Sequence, residues 1–365
     1  MLKSLWTGYP RFKLKDEPGI PASKIHCFPW LHTPAMAGLF GLGRIPAIRR
    51  EWYWWDIESL DHWVARHINQ PTTVVSVAAT GLHAGMKAQS LGGLFVCDLP
   101  TSHIRHRDQI LREEYQRWGV PFSGVDPREM DKQEAEFAEA DAITIASEYS
   151  RRTCLAEGVP ESKLRKIPYG VRLERFQKQG DPEPAHFQVL WVGQVSIPKG
   201  FMDALAAFQQ LKHPRKSMVV IGVMHDHLRR LLAGQNLSGV RFVGPVPNPE
   251  LVQYYSRSQV FVFPSIDDGF GMVLGEAMAC GCPVIASNHT GAEDFFRDGQ
   301  EGFIVPIRSP GAIWEKLERL AQEPALRDQM SAAALERVRH LGGWEIYGNA
   351  YAAFLKEVEA GTIQK

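Results

Sequence analysis

Short β-branched or aromatic runs alternate with stretches of helical spacing along most of the chain. Residues 73–78, 94–97, 142–146 and 166–168 read as strands, and residues 104–118, 129–140 and 150–157 between them as helices. A second series follows, with strands at 187–192, 218–221, 240–243, 260–263 and 303–305 and a helix in nearly every interval. The run at 260–263 is apolar at every position, as expected of a buried parallel strand, and the βαβα order predicts parallel sheets in an α/β fold. Ahead of them, residues 4–8 and 24–28 are strand-like, and Ile57, Leu60, Val64 and Ile68 mark one helical face. The polar stretch 177–186, Q-K-Q-G-D-P-E-P-A-H, reads as a linker, and the chain closes on an amphipathic helix with Tyr347, Tyr351, Phe354 and Val358 along one side. The expected division is a first domain over 1–180, a second over 181–343, and a terminal helical segment over 344–365.

The length of 365 residues suits two domains of ordinary size. Lys+Arg and Asp+Glu both number 41, so no global field gathers nucleic acid, and that partner class is set aside. The 5 cysteines are scattered apart from Cys280-Gly-Cys282, which reads as small apolar residues around a tight turn, and their odd number points to a reducing compartment. With no long apolar span and no signal-peptide pattern at the start, the expected location is cytoplasmic. Residues 39–55 are unusually apolar and aromatic, with Arg44, Arg49 and Arg50 interspersed. A packed loop and helix start is the preferred account there, and peripheral contact with the inner face of a membrane is the competing one. His225-Asp226-His227 holds too few ligands for a metal and reads as a polar loop.

Chemistry concentrates in residues 264–287, P-S-I-D-D-G-F-G-M-V-L-G-E-A-M-A-C-G-C-P-V-I-A-S. A strand ends at Pro264, Gly269 and Gly271 allow backbone N–H groups to approach a ligand, and a helix starting near Met272 aims its positive end at the same place. Asp268 and Glu276 frame this anion site as acceptors for hydroxyl groups, which describes a sugar–diphosphate–ribose ligand. Helix capping by Asp268 and a dipole role for Glu276 would explain the acids but not the G-F-G between them. The turn G-Q-V-S-I-P-K-G after the strand at 187–192 brings Gly193, Gln194 and Lys199 to another helix N-terminus, suited to a diphosphate.

The run from Asp268 to Ser287 resembles the signature of retaining, family-4 glycosyltransferases of GT-B architecture, with Asp268 where that family usually has glutamate. The resemblance implies two Rossmann-like domains facing across a cleft and a terminal helix crossing back to the first. It implies a nucleotide-sugar donor held by Gly193, Gln194, Lys199, Val246, Gly269, Phe270, Gly271, Met272, Val273 and Glu276. His103, in D-L-P-T-S-H, resembles the family's donor-sugar histidine, and His103, Lys199 and Asp268 are the catalytic candidates. For His103 local hydrogen bonding at a helix start is the alternative. Gln194 stands where the family has arginine, Tyr169 where asparagine is common, and the chain starts at what looks like the second strand, without the usual first strand–helix unit.

The implied reaction moves a sugar to an acceptor hydroxyl on a sugar, a lipid-linked molecule or another carrier, in polysaccharide or glycoconjugate synthesis. No cofactor or metal is expected, since protein charge serves the leaving diphosphate and no D-x-D is present. A nucleotide-sugar epimerase, a phosphorylase, or a catalytically weak binding relic compete with this reading. So does a late-started chain that binds nucleotide but transfers poorly.

Overall fold

The computed structural model describes residues 2–14, 19–37 and 45–361. Its front comprises β1 (Leu5–Thr7), β2 (Ile25–Cys27), α1 (Pro29–Met36) and α2 (Pro46–His67). The first domain continues with β3 (Thr73–Val77), α3 (Leu82–Ser90), β4 (Leu94–Leu99), α4 (Ile104–Arg117), α5 (Pro127–Glu139), β5 (Ala142–Ile145), α6 (Glu148–Ala156) and β6 (Leu164–Lys166). The second domain has β7 (Phe187–Val192), α7 (Phe201–Gln210), β8 (Lys216–Ile221), α8 (Asp226–Leu232), β9 (Val240–Gly244), α9 (Leu251–Ser256) and β10 (Val260–Phe263). It goes on through α10 (Met272–Ala279), β11 (Val284–Ser287), α11 (Ala292–Phe295), β12 (Gly302–Val305), α12 (Pro310–Gln322) and α13 (Pro324–Leu341), before α14 (Trp344–Glu359).

Both domain sheets are parallel throughout. The second has the order β12-β11-β10-β7-β8-β9. The chain therefore winds outward from β7 to β9, returns, and winds the other way from β10 to β12. Its switch point lies between β7 and β10, where open α/β sheets leave a crevice at the strand ends. The faces are closed by helices whose apolar residues recur at helical spacing, such as Ile313, Leu317 and Leu320 on α12 and Met330, Ala334 and Val338 on α13.

The first sheet runs β3-β4-β5-β6, and β1 pairs only with β2. Among the described residues no strand pairs with the outer edge of β3, which leaves Val75 and Val77 exposed. One face is covered by Phe137 and Cys154 of α5 and α6, the other by Phe354 and Val358 of α14. Thr144 and the Tyr351 hydroxyl, 3.3 Å apart, add a polar contact across that face.

Packing against the second domain begins ahead of the polar stretch 177–186. Val171 and Phe176 already lie in the second domain's core with Phe270, Leu274 and Phe295. The strand expected at 166–168 is β6, two residues earlier. The His225-Asp226-His227 segment is the cap and first turn of α8, not a loop. Residues 39–44 of the apolar stretch at 39–55 lie outside the described residues. The rest of that stretch starts α2, where Trp52 donates from its indole Nε1 to the Leu31 carbonyl at 2.8 Å while Tyr53 and Trp55 are exposed. No described helix is long and apolar enough to cross a membrane.

Candidate functional site

The turn after β7 and the loop after β10 lie side by side at the switch point. Gly200 shows how close they come: its φ is +71°, and a Cβ there would sit 2.0 Å from the Pro264 carbonyl oxygen. Across this junction the Lys199 Nζ is 2.5 Å from Asp268 Oδ2. Lys199 therefore faces the loop as one half of an ion pair. The other carboxylate oxygen of Asp268 accepts from the Phe270 N–H at 3.3 Å. Asp268 thus shapes the turn, while Gly271, without a side chain, heads α10.

The same loop presses on the first domain. A Cβ at Gly269 would lie 2.3 Å from the Pro100 carbonyl oxygen and 2.5 Å from Thr101 Cα, so only glycine permits the approach. Ser147 and Ser150 donate their hydroxyls to the Gly269 carbonyl, and Tyr149 donates to Asp267 Oδ1 at 2.7 Å. His289 stacks on Tyr149 with ring centroids 5.0 Å apart, and its carbonyl accepts from the Asp268 N–H at 3.0 Å. Tyr149 and His289 were not evident from sequence, because each sits in an ordinary strand–helix junction and is joined to the loop only by folding.

Glu276 lies on the next turn of α10 and lines a cavity of about 270 Å³ with Val171, Arg172, Arg175, Asn248 and Met272. Burial pushes its carboxyl above the usual range, against the hydrogen bond from Tyr255 and the charges of Arg175 and Arg172. The Tyr255 hydroxyl donates to Glu276 Oε2 at 3.1 Å, and Arg175 to Asn248 Oδ1 at 2.7 Å. The two arginines follow Y-G-V three residues apart, a spacing that puts charge repeatedly on the entry to the second domain, and this was the available signal for them. Val246 is half-buried against the same core as Met272 and Val273, and it is Asn248, two residues on, that lines the cavity. Gly193 closes β7, and Gln194 beside it is exposed.

His103 caps α4. Its Nδ1 accepts from the Arg105 N–H at 3.3 Å, and Thr153 Oγ1 accepts from its own N–H at 3.0 Å. Burial lowers its pKa to about 4, so the ring is neutral near pH 7. With Nδ1 used as an acceptor, the ring proton resides on Nε2. The helix it heads is clamped to the second domain. Arg117 makes two bonds to Asp203, at 2.8 and 2.6 Å, and Arg308 reaches the fully buried Glu114 at 2.7 Å.

Residues 173–337 match the family described as glycosyl transferases group 1. A D-inositol 3-phosphate glycosyltransferase from Thermomonospora curvata is 38% identical over 297 residues, covering 68% of this chain and 68% of its own length. The capsular polysaccharide biosynthesis glycosyltransferase CapM of Staphylococcus aureus is 30% identical over 248 residues, covering 62% and 64%. The chain thus spans about two thirds of the length of these curated relatives. Among solved structures, sucrose-phosphate synthase from Thermosynechococcus elongatus superimposes with a TM-score of 0.69 at 23% identity, covering 86% of this chain and 79% of that one. Anabaena HepE, solved with UDP and glucose, gives 0.65 at 15% identity, covering 83% and 81%. These superpositions agree with a GT-B fold of two parallel-sheet domains, and the sequence match places this chain in the group 1 glycosyl transferases.

Proposed function

We propose that the protein transfers a sugar from a nucleotide-sugar donor to an acceptor hydroxyl with retention at the anomeric carbon. The observation that carries this reading is the cavity on α10, where Glu276 is lined up with Arg172 and Arg175 on the helix that follows the loop of the Lys199–Asp268 pair. Glu276 would accept hydrogen bonds from ribose hydroxyls. The diphosphate would lie against the N-termini of α7 and α10 and draw Lys199 from Asp268, leaving that carboxylate to bind a sugar hydroxyl. Gln194 would donate a neutral hydrogen bond where a cation is absent. The neutral His103 would offer its Nε2–H to the sugar.

In the transfer itself the acceptor oxygen bonds to the anomeric carbon as the carbon–oxygen bond to the phosphate breaks. The acceptor proton passes to the departing phosphate oxygen, on the same face. Lys199 and the two helix ends stabilise the charge that develops there, a role that needs no metal. The UDP held in the HepE structure makes a uridine diphosphate sugar the first donor to try. The acceptor would be a sugar, a lipid-linked molecule or another hydroxyl carrier used in polysaccharide or glycoconjugate synthesis. Exposed Trp30, Tyr53 and Trp55 support peripheral contact of a cytoplasmic protein with a membrane.

A thermal-shift screen over uridine, guanosine, adenosine and thymidine diphosphates tests the binding step, and release of the nucleoside diphosphate from its sugar conjugate tests turnover. One diphosphate should raise the melting point. No shift with any of them overturns the donor reading, and a shift without release in the presence of hydroxyl acceptors turns the reading to a binding relic.

A further inference from the structure

Glu58 and His62 lie four residues apart on one face of α2, and His83 projects from the first turn of α3 to meet them. Glu58 Oε1 is 2.7 Å from His83 Nε2 and 3.4 Å from His62 Nε2. The two imidazoles stack with centroids 4.0 Å apart and planes 18° apart, and one donor atom from each of the three residues falls within 4.8 Å of the others. A zinc ion bonded at about 2.0–2.2 Å in a tetrahedron separates its ligand atoms by about 3.4 Å, so to receive one the Glu58–His83 contact opens and the two exposed rings turn out of their stack to aim both Nε2 atoms at the ion.

The surroundings are arranged as for a bound cation. Lys132, with a side chain 3% exposed, holds Glu58 Oε2 at 3.0 Å and leaves Oε1 to the two rings. The same ammonium lies 2.7 Å from Asp61 Oδ2, and Asp61 accepts the N–H groups of His83 at 3.1 Å and Ala84 at 2.9 Å, which fixes the start of α3. Burial pushes the Glu58 carboxyl up, but the bonds from Lys132 and His83 outweigh it and hold it below its ordinary value. Glu58, Asp61 and Lys132 together carry one surplus negative charge. His62 and His83 have side chains 52% and 37% exposed, so an ion has an entry path and room for a water.

We propose that Glu58, His62 and His83 form a divalent-cation site, best suited to zinc, that ties α2 to α3. Two imidazoles and one carboxylate match zinc's ligand preferences, with the fourth position left to water. The tie has a structural use. Among the described residues before 69, the buried apolar side chains are those of Pro10 and Ile57. The front is instead held to α2 by ring contacts, Trp6 on Trp63 at 4.9 Å and Phe28 on Trp63 at 5.0 Å. A segment with so little core is where a metal cross-link adds most. The site takes no part in sugar transfer and does not depend on that reading.

The test is a titration of the chelator-stripped full chain with zinc chloride against a competing indicator dye, alongside melting curves with and without zinc. One equivalent should bind and raise the melting point. His62→Ala and His83→Ala should each lose that equivalent and the shift, while His225→Ala retains both. His62 is exposed, so its replacement leaves a folded protein in which to measure the loss. No bound zinc in the parent chain, or an unchanged equivalent in the His62→Ala/His83→Ala double variant, overturns the proposal and leaves a hydrogen-bonded histidine–glutamate pair.

Discussion

Strands β10 and β11 are buried at every position, whereas at the edge of the first sheet β3 leaves Val75 43% and Val77 50% exposed. Under the loop after β10 lie Phe263, Leu274 and Phe295, with Phe270 of the loop packed among them as an apolar floor. The corresponding loop after β3 has a polar support instead. Glu136, fully buried, accepts the N–H groups of Ala79 at 2.5 Å and Gly81 at 2.6 Å, and Ala79 is held at φ +68°. Two sheets made from the same alternation thus position their strand-end loops by different forces. An apolar floor adds to the bonds of Asp267 and Asp268 at one, and a single buried carboxylate holds the other.

The largest effect should come from opening the apolar floor. Phe295→Ala should cost about 3–5 kcal/mol, read as a fall in the urea midpoint, because a large ring is lost from a closed core. A cost below about 1 kcal/mol would show that the second domain is no tighter than the first.

Next is Glu276→Ala. Tyr255 is fully buried, and removing its acceptor should cost about 1–3 kcal/mol of stability, in addition to weaker nucleoside diphosphate binding. Glu276→Gln keeps an acceptor for Tyr255 and separates the two effects. It should restore most of the stability while the diphosphate still binds more weakly by calorimetry. Equal affinity in both variants and the parent would return Glu276 to a purely structural role.

The polar support gives a pH signature. Burial raises the Glu136 carboxyl from 4.5 to about 7, against the bonds from Gly81 and Ala79 that lower it. The folded state therefore favours the neutral acid. Its contribution is complete below the ordinary carboxyl pKa and is lost as pH rises through about 7, with a slope of at most about 1.4 kcal/mol per pH unit. Urea midpoints should fall between pH 5 and 7, and Glu136→Gln should flatten that fall. A slope unchanged in the variant would move its origin elsewhere.

The smallest effect is expected at the exposed edge. Val77→Thr should change stability by no more than about 0.5 kcal/mol. A larger loss would mean that β3 is covered in solution, contrary to the contrast drawn here.

Much of the second domain was legible because buried parallel strands must be apolar along their whole length. The runs at β7, β10 and β11 therefore stand out without any partner. The loop after β10 was legible for a related reason: glycines, an acid and a helix start fall within a few residues. The front was less so. Residues 29–36 form α1 with no burial pattern to announce it, and α2 begins at Pro46, well before its evident apolar face starts at Ile57. The Glu58–His62–His83 cluster went unseen because His83 is remote in sequence from the other two.

The sequence by itself determined that the chain is α/β with parallel sheets, where the glycine-bounded loops lie, and which helices follow them, since these depend on local spacing and backbone freedom. Tertiary structure alone decided which groups share a bond. It paired Lys199 with Asp268 across the switch point, gave Glu276 to Tyr255 and two arginines, and set Gly269 against Pro100. Those choices join strand ends far apart along the chain. The charge available to a ligand therefore follows from sheet order and domain docking, which no local pattern encodes.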